Sequence, residues 1–509
     1  MKELRALVTL LSKQKTKNIE IIGQDEKPES LIHRLYHSIS NNEISTEEEA
    51  IALLYQTNNK QAYNKLKNRL KQRLINTLFF IDVNKPSFTD YRKALHGVGK
   101  NWAAVILLLD RSARHTAIGI AETTLKTALK YDLTEFALLL ARQITKHYAY
   151  LHPNRKKYLY YKKHVEELKK VFDAEMLVED YYNIMSREFN LSKSSKKKTH
   201  FEQLKLYCQE LKELQKEIKS YRFNADTFQL LTYEKLLEKD YRGVIELSHQ
   251  AKDFFESKPF KDLLGQILFN YDLIRSYLIL HEFTNAEKYL DENISLIKTF
   301  NFHWFRCRNF KFILLTNTKR YQELNSLMLD VLESKALTKF PAFHESWLIK
   351  EAYINFLILV GRINPSRNKK LRAFSVNRFL NEVPIFTKDK RGLNVSILIA
   401  QLLFFILNKK ENEIIDRLDS LNQYCHRYLK KDDTLRSNCF IKMLMKLPEA
   451  NYNPIRVQRY VDKYYKVLSS TPAEISEQSS EVEIIPYEDL WEMVLGVLEK
   501  RSGGRKRIR

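Results

Sequence analysis

Apolar residues recur every three or four positions through most of this chain, separated by short polar stretches. That period belongs to the α-helix, where i, i+3 and i+4 share a face. Residues 46–82 give the clearest case. Glu47, Glu48 and Glu49 follow Thr46, and carboxylates suit a helix N-terminus. Ala50, Leu53 and Leu54 continue at helical spacing. A polar turn at residues 56–59 leads to a longer helix with the stripe Tyr63, Leu66, Leu70, Leu74, Thr77 and Leu78. Pro86 closes this unit, residues 1–86.

The same pattern continues over residues 87–191 as helical hairpins. Residues 102–109 are apolar, 117–131 and 133–150 are amphipathic, Pro153 breaks the run, and 155–189 form a long charged helix or pair. Residues 192–200 (SKSSKKKTH) hold no apolar side chain and predict a linker or exposed loop. Over residues 192–468 three segments share a form: an apolar helix, a polar pivot with an aromatic, then an amphipathic helix. The pivots are Asp240-Tyr241, Glu282-Phe283 and Arg320-Tyr321. Tyr241 and Phe283 are 42 residues apart, and Phe283 and Tyr321 are 38. Such a period means one helical hairpin per repeat, each burying its face against its neighbours. Less regular hairpins follow around 362–381 and 408–413.

On these residues the chain resembles the tetratricopeptide (TPR) family. Leu273, Tyr277 and Ala286 fall at the family's Leu, Tyr and second-helix Ala positions. Ile274 replaces a small residue, Leu290 an aromatic, and the closing Pro is missing. The resemblance implies a curved superhelix with a groove for peptides or proteins, and no catalytic residues. The chain also resembles long helical proteins of bacteria, a likeness that brings no activity with it.

Toward the end the character changes. Residues 469–489 hold Glu474, Glu477, Glu481, Glu483, Glu488 and Asp489 and no base, so 469–485 reads as an acidic Ser/Glu linker. Pro486 opens a last helix with the stripe Leu490, Trp491, Val494, Leu495 and Leu498. The expectation is a capping helix over 486–509; the alternative is a helix that docks on a partner. A flexible tail then carries Arg501, Arg505, Lys506, Arg507 and Arg509.

Composition narrows the class. With 11 Gly and 11 Pro in 509 residues, neither an all-β fold nor a glycine-rich nucleotide site fits. Residues 1–11 lack the features of a secretory signal. The longest apolar run, 395–407, is shorter than the ~18–20 residues a membrane span needs and reads as a core helix. Four cysteines, Cys208, Cys307, Cys425 and Cys439, show no CxxC pairing, so neither a disulfide framework nor structural zinc is expected. The expected compartment is the cytoplasm. The net charge of +23 favours encounters with polyanions or anionic surfaces, though it also fits charge spread over solvated helix faces.

Several constellations are candidates for chemistry. Opposite the Tyr63/Leu66/Leu70 stripe lie Gln61, Asn64, Lys65, Asn68, Arg69 and Gln72, long amides and bases of the kind that reach base edges and phosphates. With the preceding helix they give a helix-turn-helix outline; the competing reading is a plain hairpin, with Lys67, Lys71 and Arg73 lying along apolar surface. The tail residues Arg505, Lys506, Arg507 and Arg509 form a second candidate nucleic-acid contact, against folding back on the acidic segment. HEPN ribonucleases place an Arg and a His four to six residues apart, as in Arg142–His147 and Arg275–His281, a spacing that also arises by chance. His33 and His37 lack a third ligand and fit a surface stripe better than a metal site. Gly97-Val98-Gly99 reads as a tight interhelix turn before a helix starting near Asn101. Trp304, Phe305, Trp347 and Phe379 read as core.

The sequence thus predicts an all-α, TPR-like array of hairpins with an N-terminal helical unit and a C-terminal capping helix. It implies no cofactor, metal or catalytic residue. Its expected role is a scaffold or adaptor for an acidic protein or peptide. The alternatives are a nucleic-acid-associated regulator and, more distantly, a metal-independent ribonuclease.

Overall fold

The computed structural model describes residues 30–41, 43–55, 59–84, 88–191, 197–261, 263–297, 299–364, 375, 379, 393–429, 434–471 and 483–505. Among them the regular elements are helices, and none is long and apolar enough to cross a membrane. The chain divides into two compact units: residues 1–227 with 254–262, and residues 228–253 with 263–509.

The first unit begins with α1 (Leu31–Ser40), α2 (Glu47–Leu54) and α3 (Lys60–Leu78) around one core that includes Leu35, Ala50, Tyr63, Leu70 and Leu74. Each helix opens on a side-chain cap. Ser30 accepts from the His33 N–H, Thr46 and Glu49 form a reciprocal capping box, and Asn59 accepts from the Ala62 N–H. These bonds satisfy N–H groups that the helix cannot, each stabilising by about 1 kcal/mol.

Next come α4 (Asp90–Asp110), α5 (Arg114–Lys130) and α6 (Thr134–Lys146), packed in sequence. Buried Ala117, Ala121, Ala128, Ala137 and Ala141 keep the contact surfaces small. Gly97-Val98-Gly99 is not the expected interhelix turn: α4 runs through it. Thr89 caps the helix eight residues earlier in sequence, Val98 is buried, and a Cβ on Gly99 would lie 3.8 Å from the Phe136 ring. The glycines therefore sit within a helix face, and the turn falls at Ser112. After α6 the helix widens into a π turn, His147–Leu151. Then follow the single long α7 (Arg155–Leu191) and α8 (Lys197–Glu217). The basic stretch read as a linker is helical again from Lys197; residues 192–196 lie outside the described residues.

The hairpin α9 (Tyr221–Leu237) and α10 (Tyr241–Glu256) contributes to both units. In the second unit α11 (Leu263–Ile279), α12 (Phe283–Leu296), α13 (Phe302–Asn317), α14 (Tyr321–Leu332) and α15 (Pro341–Leu359) pack each on the next. Leu273, Tyr277 and Ala286 are buried in the α11–α12 core. One turn recurs. Lys239, His281, Lys319, Gly361 and Lys409 occupy the left-handed region at φ 60, 58, 56, 82 and 56°. The following N–H then bonds back to the carbonyl five residues earlier: Asp240 to Lys235, Glu282 to Tyr277, Arg320 to Leu315, Arg362 to Leu357 and Lys410 to Phe405. This is a Schellman closure, and Ser112 and Asp132 repeat it in the first unit. The pivots seen in the sequence are these closures. Glycine is scarce because Ser, Asp, His and Lys occupy most of its usual positions.

The rest of the second unit comprises α16 (Leu393–Leu407), α17 (Glu411–Ile415), α18 (Leu418–Tyr428), α19 (Leu435–Met445), α20 (Pro454–Ser470) and α21 (Tyr487–Arg505). They share a core with Trp347, Tyr353, Phe404 and Phe440, and α16 is the buried helix its apolar run predicts. The last helix packs in cis on α16, α19 and α20, burying Leu490, Trp491, Met493, Val494 and Leu498. The end of the acidic segment is structural. Arg436, nearly buried, donates to Glu483 at 2.7 and 2.9 Å, to Glu488 at 2.7 and 3.0 Å, and to the Leu468 and Thr471 carbonyls. Burial alone would lower the Arg436 pKa; the two carboxylates more than reverse this and hold the guanidinium charged.

Candidate nucleic-acid interface

The capped three-helix unit fixes the orientation of α3. Tyr63, Leu70, Leu74 and Thr77 turn into the core, so the opposite face meets solvent. Gln61, Asn64, Lys65, Asn68, Arg69 and Gln72 are all exposed on it. The helix carries Lys60, Lys65, Lys67, Arg69, Lys71 and Arg73 and no carboxylate. Lys67, Lys71 and Arg73 are half-buried, and Lys67 pairs with Glu47 of α2 at 2.5 Å. The pair ties α3 to the first turn of α2. The charged side chains of the helix itself are thus all positive.

The other sequence candidates separate. Arg505 ends α21, and Lys506, Arg507 and Arg509 lie outside the described residues. Arg142 is exposed on α6, whereas His147 is buried in the π turn with its ring against Tyr148 and His152. Arg275 is half-buried within α11, and His281 is exposed in the turn beyond it. Neither pair shares a face. The His33 and His37 rings do meet, with their Nε2 atoms 3.1 Å apart; among the described residues they belong to no group of three or more His, Cys, Asp or Glu placed to hold a metal. Phe305, Trp347 and Phe379 are core, while Trp304 is half-buried, under the Arg308 guanidinium at 4.5 Å. All four cysteines are buried and unbridged, and burial pushes the Cys307 and Cys425 thiols up to about 11.

A second polar face went unread in the sequence. Asp272 and Arg275 of α11 lie near Arg306 of α13, and the Arg306 guanidinium sits 4.5 Å over the Tyr271 ring. Burial raises the Asp272 pKa against the pull of both arginines, and burial and Arg275 lower that of Arg306. One turn along α13 the buried Asn309 Oδ1 has no hydrogen-bond partner. The signal available was polar pairs three apart, Asp272/Arg275 and Arg306/Asn309, inside otherwise apolar helices.

Comparison with protein-family models, with curated proteins and with solved structures finds no match. What defines the class is therefore internal: an all-helical protein of consecutive Schellman-closed hairpins, preceded by a capped three-helix unit with an acid-free outer helix.

Proposed function

We propose that the protein is a non-catalytic, nucleic-acid-associated adaptor. In this reading the outer face of α3 contacts nucleic acid, and the hairpins of the second unit hold a protein partner. The observation that carries it is the joint exposure of Gln61, Asn64, Lys65, Asn68, Arg69 and Gln72 on a helix with no carboxylate. Bases on such a face neutralise phosphates, and amides supply hydrogen bonds to base edges. The basic tail, Arg505 to Arg509, adds charge to the same reading. Duplex DNA titrated at two salt concentrations against a Lys65→Ala/Arg69→Ala variant tests it. Weaker binding and a shallower salt slope support the reading; unchanged binding rejects it.

A second reading, a protein scaffold alone, is favoured by the half-buried polar face of α11 and α13. Its Asn309 acceptor suits a peptide N–H, and Arg275 and Arg306 suit a carboxylate. The TPR-like arrangement and the cytoplasmic setting belong to this proposal, as does the absence of catalysis.

A further inference from the structure

The junction between α6 and α7 carries a surface that the reading above does not use. From Lys146 to Val165 the chain has six bases, Lys146, Arg155, Lys156, Lys157, Lys162 and Lys163, and no carboxylate. Among them Tyr150 and Tyr160 are each 60% exposed, and Leu159 is 52% exposed. Exposed tyrosines have no part in the core and leave a π face in water.

Two neighbouring rings are held in place. Tyr148, in the π turn, stacks on Tyr161 of α7 with ring centroids 6.0 Å apart and planes 7° from parallel. The Tyr148 and Tyr161 hydroxyls both donate to Glu122, at 2.9 and 3.2 Å, and the Asn154 N–H donates to the Tyr148 carbonyl. Each stacked ring thus anchors a neighbourhood whose next aromatic points outward: Tyr150 from the turn, Tyr160 from the helix. On α7, Lys156 lies one turn before Tyr160 and Lys163 one turn after, so the exposed ring is bracketed by ammonium groups. Tyr160 also meets the His164 ring edge-on, with centroids 4.7 Å apart.

Two features set this surface apart from an ordinary solvated face. Arg155, Lys156 and Lys157 occupy the first turn of α7, which has no acidic residue. Lys157 pairs with Glu122 at 3.6 Å, while Arg155 and Lys156 add cations that oppose the helix dipole, an arrangement that a bound anion would relieve. The irregular π turn also carries the exposed Tyr150, and such turns concentrate at functional sites.

We infer that this surface binds single-stranded nucleic acid, with bases stacking on Tyr150 and Tyr160 and phosphates held by Arg155 and Lys156. Stacking on rings is tolerant of sequence, and a single strand exposes the bases that a duplex hides. The charge fits a narrow polyanion. A broad anionic membrane would also meet Glu166 and Glu167 on the next turn of the helix, which already pair with Lys162 and Lys163 at 3.8 and 3.7 Å. The inference shares a ligand class with the α3 reading but uses different residues and a different strand state.

The test is a fluorescence-anisotropy titration of the full-length protein with a 20-nucleotide oligothymidylate, beside a duplex of equal length and phosphatidylserine vesicles. Tyr150→Ala/Tyr160→Ala is expected to weaken oligothymidylate binding at least tenfold, since both stacking platforms are removed. Tyr160→Phe keeps the ring and is expected to bind within twofold of the parent. Arg155→Ala/Lys156→Ala should flatten the salt dependence. Lys65→Ala/Arg69→Ala should act on the duplex arm, which separates this inference from the α3 reading. Circular dichroism shows whether each variant is folded. The inference is overturned if the double Tyr variant binds like the parent, if Tyr160→Phe loses binding as Ala does, or if only the vesicles bind.

Discussion

The Tyr321 hydroxyl donates to the Asp489 carboxylate at 3.0 Å, joining the first residue of α14 to the first turn of α21 across 168 residues. Lys319, in the preceding left-handed turn, reaches the same carboxylate at 2.8 Å. The last helix is therefore held to α14 by a side chain 8% exposed. Burial and Asp489 both push the Tyr321 pKa up, so the hydroxyl remains a donor throughout the neutral range. Asp489→Ala is expected to destabilise the second unit by about 1.5–3 kcal/mol, the range for a hydrogen bond to a charged group. Asp489→Asn keeps the acceptor and should lose less. Urea unfolding of the two variants checks the order.

Arg436 makes a stronger demand. It answers Glu483 and Glu488 together while capping the Leu468 and Thr471 carbonyls. Arg436→Met leaves buried carboxylate charge without its partner and should cost about 3–5 kcal/mol. Thermal unfolding near neutral pH measures this. A loss below 1 kcal/mol would mean that the network contributes little.

The recurrent turns predict stabilising changes. Ser112 and Lys409 are exposed and hold φ 61 and 56°. A left-handed conformation costs an L-residue about 1–2 kcal/mol, and glycine avoids it at some cost in chain entropy. Ser112→Gly and Lys409→Gly should each stabilise by about 0.5–1 kcal/mol, whereas Gly361→Ala at φ 82° should destabilise. Denaturant midpoints of the three single variants give the signs.

His147 predicts a pH dependence in the first unit. Its ring is buried, with Nδ1 lacking a hydrogen-bond partner. Burial, then His152, lower its pKa; Glu122 opposes them, and His115 and Lys157 add to the lowering. The folded ring thus gives up its proton more readily than the unfolded one, which titrates near 6.5. Between those values the unfolded chain binds more protons, so stability falls as pH drops below about 6.5. His147→Leu should reduce the loss of urea midpoint between pH 7.5 and 5.5. An equal loss in the variant would place the dependence elsewhere.

Local rules made much of this legible beforehand. The helix start at Thr46, the α3 stripe and the hairpin pivots follow from capping and period, which act over a few residues. The glycines at 97 and 99 misled because glycine signals both turns and helix faces, and here α4 runs through both. The acids at 483 and 488 looked solvated because Arg436 lies about fifty residues away in sequence. The exposed face of α3 could be read because its opposite stripe was strongly apolar. The polar face of α11 and α13 could not, since it needs two helices brought side by side. The role of either face is not written in periodicity.

The most direct test of the account is the salt dependence of duplex DNA binding by the full-length protein, compared with Lys65→Ala/Arg69→Ala. If both side chains neutralise phosphates, the logarithmic salt slope should fall by about 2, since each contact contributes about 0.9. Helicity should be unchanged, because both residues are exposed. A variant that binds with the parent's affinity and slope would contradict the account and leave the protein scaffold as the better reading.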